Sequence, residues 1–203
     1  MQASVHKRRR NYAGRVAMGQ AKALVLSALL IVLSAVAASA AEINPTGTVK
    51  NFEIAAASKP APDFSWRGAD GTELSLKAYA GKTVVFNFWA TWCAPCIKEL
   101  PSLLHLQKKI GAAPIVVVAL NIDRGEVGAD KARAMLRRLK LDDLAFHHDS
   151  QSQAYRALGV EVMPTTIVFD SQGREAGRLR GPAEWDEPEA VKLLQALSET
   201  PKR

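Results

Sequence analysis

At 203 residues, 48% hydrophobic and 23% charged, the chain carries enough apolar side chains for one buried core and a short extension, not for two independent cores. Its formal charge of +7 is unevenly placed: Lys7, Arg8, Arg9, Arg10, Arg15 and Lys22 precede residue 41 with no acid among them, so the remainder is near neutral. That distribution excludes a nucleic-acid-binding footprint on the folded part, and the presence of only two cysteines excludes a disulfide-stapled scaffold.

Residues 1–41 read as an export segment: a cationic start, an uncharged run from Ala23 to Ala41 rich in Leu, Val and Ile, and a small-residue close at Ala38-Ser39-Ala40. As a helix the run spans roughly 28 Å, near the hydrocarbon thickness of a bilayer, so a cleaved signal and an uncleaved signal anchor are equally open. The preceding cations hold the N-terminus in the cytoplasm and send the rest across. The expectation is a periplasmic domain, anchored to the inner membrane by residues 23–41 if the segment is retained.

Residues 42–62, with Asn44-Pro45, Gly47, an alanine patch and Lys59-Pro60-Ala61-Pro62, read as a tether, and 63–203 as the folded domain. Phe64 to Leu76 suggests a short hairpin about Ala69-Asp70-Gly71, and Thr83 to Ala90 a buried strand, apolar apart from Asn87. A helix follows from about Cys93 to Ile110, stopped at Gly111 and expected to kink at Pro101. Pro114 to Asp123 is a second buried strand, and Asp130 to Lys140 a basic amphipathic helix. After a helix turn at Ala154 to Leu158, Thr165 to Asp170 and Glu175 to Arg180 pair about Ser171-Gln172-Gly173, and Trp185 to Leu197 closes the chain as an amphipathic helix. Alternation of strand and helix followed by a hairpin predicts an α/β domain, a mixed central sheet flanked by helices on both faces.

The strongest chemical signal is the buried strand running directly into Trp92-Cys93-Ala94-Pro95-Cys96 at a helix start. Two cysteines so close together close too short a loop to staple a fold, so chemistry must account for them. Unpaired N–H groups and the positive end of the helix dipole favour a thiolate at Cys93, which makes it the attacking sulfur; Cys96, one turn deeper, resolves the mixed disulfide. Pro95 fits a first turn that has no N–H partner to lose. Trp92 shields the thiolate and offers apolar contact to partners, whereas Trp89 reads as core. A closed metal site needs further ligands, and the paired candidates, His147 and His148, point to opposite sides if extended and read as solvated loop residues.

Gly81-Lys82-Thr83-Val84-Val85, the run from Phe88 to Cys96 with Lys98-Glu99-Leu100-Pro101 behind it, Gly159 to Thr166, and Gly181-Pro182-Ala183-Glu184-Trp185 together resemble the thioredoxin superfamily over about Asp63 to Leu197. The resemblance is specifically to the TlpA/ResA-like family of exported thiol:disulfide interchange proteins. It implies a thioredoxin-like fold in which Pro164 is a cis-proline facing the dithiol, with Met163 and Thr165 pairing to an extended substrate segment. Trp92, Ala94 and Pro95 complete the expected substrate contacts. Glu99 resembles the acidic residue found near the active site in the family. It reads either as the group that exchanges a proton with Cys96 or as a solvated glutamate favouring the first helical turn. Where classical thioredoxins carry a buried aspartate this chain has Asn87, which reads as a hydrogen-bonded structural residue.

Direction of electron flow follows from resemblance alone: Ala94-Pro95 is similar to reductant centres. The implied partners are protein disulfides of cytochrome assembly, at an oxidase copper site, its chaperone or apocytochrome haem-attachment cysteines, with a membrane-embedded thiol:disulfide electron donor. No cofactor is implied. The alternatives are a copper-binding metallochaperone using Cys93 and Cys96 as soft ligands, and a general thiol oxidant.

Overall fold

The structure is a computed structural model, and it describes residues 43–111 and 114–199. The expected export segment, 1–41, lies outside the described residues. An eight-stranded mixed sheet carries the site, in the order β1-β8-β7-β4-β5-β6-β2-β3. Its strands are β1 (Glu53–Pro60), β2 (Trp66–Arg67), β3 (Glu73–Leu74), β4 (Thr83–Trp89), β5 (Ile115–Asn121), β6 (His147–His148), β7 (Thr165–Phe169) and β8 (Arg174–Arg180). The helices are α1 (Ala94–Ile110), α2 (Gly125–Arg138), α3 (Gln153–Ala157) and α4 (Pro188–Glu199).

β4 is central because its β-branched and aromatic run suits burial on both faces, and all seven of its residues are buried. It pairs in parallel with β5 from Thr83↔Ile115 to Trp89↔Asn121, and antiparallel with β7 from Val84↔Phe169 to Phe88↔Thr165. Alternation along β4 sorts its side chains. Phe86 and Phe88 turn to one face, where Phe86 meets Trp66 and Phe169 edge-on and Phe88 meets Tyr155 of α3. Asn87 turns to the other and reaches Glu99 of α1. Helices therefore cover both faces, as the alternation of elements predicts.

Several expectations need correction. The stretch expected as a tether forms β1, paired antiparallel with β8 from Glu53↔Arg178 to Pro60↔Arg174, so strand pairing reaches back before Asp63. An Ala-Ala-Ala-Ser-Lys-Pro run has weak strand propensity; the free edge of β8 supplies the hydrogen bonds that hold it. His147 and His148 are buried, not solvated, because β6 inserts between β5 and β2. His147 Nδ1 accepts the Trp66 indole N–H at 3.1 Å, and burial lowers its pKa to about 4, so it stays neutral; His148 Nε2 donates to the Asp123 carbonyl at 2.7 Å. The basic helix α2 starts at Gly125, five residues before the expected Asp130. Pro101 sits inside an uninterrupted α1.

Candidate active site

Cys93 is the N-cap of α1, with extended backbone (φ −94°, ψ 94°), and its Sγ accepts the Cys96 backbone N–H at 3.3 Å. The two sulfurs form a disulfide across a Cα–Cα distance of 5.3 Å. Cys93 keeps 5% of its surface exposed and Cys96 1%, so solvent and partner meet Cys93 first. Beside it Trp92 stands 67% exposed, while Trp89 is core and donates its indole N–H to the Ala119 carbonyl at 3.3 Å. Ala94 and Pro95 are exposed at the head of the helix.

The loop entering α1 is clamped by a residue that the sequence did not flag. Asp123, buried just past β5, accepts the Thr91 backbone N–H at 2.9 Å through Oδ2 and the Thr91 hydroxyl at 3.1 Å through Oδ1. Asn121 Nδ2 donates to the same Oδ2 at 2.8 Å. Three donors converging on one buried carboxyl group fix the backbone two residues before Cys93.

The Met163-Pro164 peptide bond is cis, as the resemblance implied. Thr165 pairs with Phe88 at the end of β4 nearest the cysteines, which sets Pro164 at the same end of the sheet as the disulfide. Thr165 is buried and donates its hydroxyl to the Val162 carbonyl at 2.7 Å; Met163 is half-buried and Val162 exposed. The Gly181 N–H donates to the Pro164 carbonyl at 2.9 Å, tying the cis-proline loop to the loop after β8. Gly181 has φ +108°, a conformation open to glycine and costly for other residues.

Glu99, at 1% exposure, is not the solvated glutamate that the sequence left open. Its Oε1 accepts the Trp185 indole N–H at 2.5 Å and the Ala183 backbone N–H at 3.1 Å, and its Oε2 accepts Asn87 Nδ2 at 3.2 Å. Burial raises its pKa to about 7 despite these three donors, and the nearby charge of Glu184 adds to the rise. Asn87 also donates to Thr166 Oγ1 at 2.9 Å, which bears out its structural reading, while its Oδ1 has no hydrogen-bond partner among the described residues. Trp185, expected on the last helix, lies before α4, fully buried. Its spacing gave no sign of a carboxylate partner; the signal available was an indole, which seeks an acceptor when buried. A groove of about 400 Å³ is lined by Ala94, Pro95 and Lys98 of α1 and by Pro182, Ala183 and Glu184, and it reaches Glu99.

These parts can perform thiol–disulfide exchange: a disulfide reachable from one side, a helix terminus that favours a thiolate at Cys93 once reduced, and behind it a carboxyl group able to change protonation near neutrality.

Residues 56–194 match the profile of the Redoxin family. The thiol-disulfide oxidoreductase ResA of Bacillus thuringiensis subsp. konkukian is 31% identical over 125 residues, covering 61% of this chain and 69% of the relative. The thioredoxin-like protein YneN of Bacillus subtilis is 38% identical over 114 residues, 56% of this chain and 65% of the relative. Among solved structures, one assigned as the thiol:disulfide interchange protein DsbE of Chlorobium tepidum superposes with a TM-score of 0.61 at 30% identity, covering 70% of this chain and 97% of that one.

Proposed function

The chain belongs to the Redoxin family and is a thiol:disulfide oxidoreductase, and from that premise we propose that it works as a TlpA-like reductant of particular protein disulfides. In this reading the reduced Cys93 thiolate attacks one sulfur of a substrate disulfide. That S–S bond breaks, the second substrate sulfur leaves as a thiolate, and a mixed disulfide joins Cys93 to the substrate. Cys96 then attacks Cys93 Sγ and releases the first substrate sulfur. Two electrons pass from the enzyme dithiol to the substrate, and the two protons of the enzyme thiols end on the substrate thiols. The Cys93–Cys96 disulfide remains, to be reduced by a dithiol protein in the membrane.

The observation that carries this reading is the buried carboxyl of Glu99 on the helix of both cysteines, with a pKa of about 7. A group of that pKa can take the proton from Cys96 during resolution and pass it to the departing substrate thiolate. Trp92, Ala94, Pro95, Met163, Pro164 and Thr165 receive the substrate segment, extended along the cis-proline loop. The substrates we propose are cysteine pairs of cytochrome biogenesis, at an oxidase copper site or a haem-attachment motif. The place is the periplasmic side of the inner membrane, which the cationic and apolar order of residues 1–41 supports.

Measurement of the reduction potential tests the direction. A value near the about −270 mV of thioredoxin is expected; one near the about −120 mV oxidising extreme would make the protein a general thiol oxidant. Tight stoichiometric copper binding without disulfide turnover would point instead to a metallochaperone.

A further inference from the structure

Charge on the folded part is balanced in total and segregated in place. From Ile43 to Glu199 cations and acids are equal in number, yet the stretch from Arg124 to Lys140 holds six cations (Arg124, Lys131, Arg133, Arg137, Arg138 and Lys140) against Glu126 and Asp130. Helix α2 buries Gly128, Ala129, Ala132 and Leu136. Its outward side carries Val127, Lys131, Ala134 and Arg138, all exposed, at spacings of four, three and four, so they form one stripe along the helix, and the exposed N-cap residue Arg124 stands at its head. Acids are absent from that stripe, since Glu126 and Asp130 fall to one side of it. Among the described residues none of Arg124, Lys131 and Arg138 forms an ion pair.

The stripe begins beside the reaction centre. Arg124 follows Asp123, whose carboxylate grips Thr91, two residues from Cys93. Val127, in the first turn of α2, is 68% exposed and Trp92 67%; Val162 on the cis-proline loop is 47% exposed. Large apolar side chains left in solvent near a reactive disulfide suit transient protein contact, and unpaired cations beyond them suit a partner of opposite charge.

We propose that the α2 stripe of Arg124, Lys131 and Arg138 docks an acidic segment of the substrate protein that lies next to its target cysteines. An anionic membrane surface would satisfy the same cations; the reaction centre beside the head of the stripe, which receives a protein disulfide, favours the substrate as the occupant. The inference rests on the oxidoreductase reading and adds a source of selectivity: like-charged partners are repelled, and complementary ones are captured faster.

The test uses the purified full chain, recycled by excess dithiothreitol whose direct reaction is subtracted, and three synthetic peptides with one central Cys-x-x-Cys disulfide, followed by an aspartate-rich, an asparagine-rich or a lysine-rich tail. At low salt, about 20 mM, the aspartate peptide should be reduced at least about five-fold faster in kcat/KM than the asparagine peptide, with the lysine peptide slowest. The differences should collapse at about 0.5 M salt, where screening acts within a few ångströms. In the double variant Arg124→Glu, Lys131→Glu the order should invert, while turnover of the small uncharged hydroxyethyl disulfide stays unchanged. Equal rates for the three peptides at low salt, or an aspartate preference that survives the double variant, would overturn the proposal. So would loss of binding to phosphatidylglycerol vesicles in the double variant with the peptides indistinguishable, which would give the stripe to a membrane. Failure to reduce even hydroxyethyl disulfide would count against the oxidoreductase reading instead.

Discussion

Trp185 donates its indole N–H to Glu99 Oε1 at 2.5 Å across 86 residues of sequence, so the loop after β8 and the helix of the cysteines meet at one buried carboxyl group. The bond favours the ionised form, against a burial effect that favours the neutral one. Replacing Trp185 with Phe keeps the apolar ring and removes the donor. The carboxyl should then titrate above its present value of about 7, readable from the Glu99 carboxyl carbon by NMR. Stability above neutral pH should fall by about 1–3 kcal/mol as the carboxylate loses a buried partner. An unmoved titration would show that the indole does not govern this proton.

Glu99 and His147 make opposite contributions to stability over nearly the same pH range. Glu99 has its pKa raised from 4.5 to about 7, so the folded state holds the proton more tightly, and stability falls as pH rises through that interval. His147 is lowered from 6.5 to about 4, so the unfolded state binds the proton more tightly, and stability falls as pH drops through that interval. Each effect is on the order of 3 kcal/mol, so the two nearly cancel between pH 4.5 and 6.5. Urea denaturation of Glu99→Gln should show stability climbing with pH across that window, and His147→Gln, which keeps an acceptor for Trp66, should show it descending. Parallel slopes in the two variants would refute both assignments.

Cys93 is the more exposed sulfur and Cys96 the covered one, which fixes the order of attack. Cys96→Ser should accumulate mixed disulfides through Cys93, separable on a non-reducing gel, and Cys93→Ser should accumulate none. Equal trapping by both variants would contradict the order proposed here.

How far each feature could be read in the sequence depends on how local its cause is. The run from Phe88 to Cys96 shows a buried strand, a helix cap and a dithiol within ten residues, whereas the cis bond at Met163-Pro164 was legible only through the family resemblance, since an isolated X-Pro pair is more often trans. Glu99 was recognisable as a candidate, but its burial was not, because the groups that hold it come from Asn87, Ala183 and Trp185. Asp123 and Thr91 lie 32 residues apart, and neither stands in a pattern that names the other. The burial of His147 and His148 follows from two flanking strands rather than from their own two-residue segment.

β1 is the element most dependent on its neighbour, and Gly177 is where that dependence is sharpest. A Cβ at Gly177 would lie 2.4 Å from Phe52 Cε1 and 2.5 Å from the Glu53 carbonyl oxygen, and Gly177 is the register partner of Ile54. Gly177→Ala should push β1 off the sheet edge and expel Phe52 from the core, lowering stability by about 1–3 kcal/mol. Hydrogen exchange should quicken in residues 53–60 while β4 and β5 stay protected. Unchanged protection of β1 would mean that the edge adapts around the methyl group.

Gly128 makes a comparable demand next to the reaction centre. Its missing side chain lets the first turn of α2 close over Asp123, and a Cβ there would meet the Asp123 carbonyl carbon at 2.7 Å and its Cβ at 2.8 Å. Backbone on one side and a clamped carboxylate on the other leave no flexible atom to give way. Gly128→Ala should therefore displace Asp123 from Thr91 and loosen the loop that presents Cys93. A shift of even an ångström at a reacting group is costly, so disulfide exchange should slow by about ten-fold. Asp123→Ala, which removes the clamp without adding bulk, should slow it comparably. Wild-type rates in Gly128→Ala alongside slow rates in Asp123→Ala would show that α2 can move aside, and wild-type rates in both would remove the clamp from the chemistry.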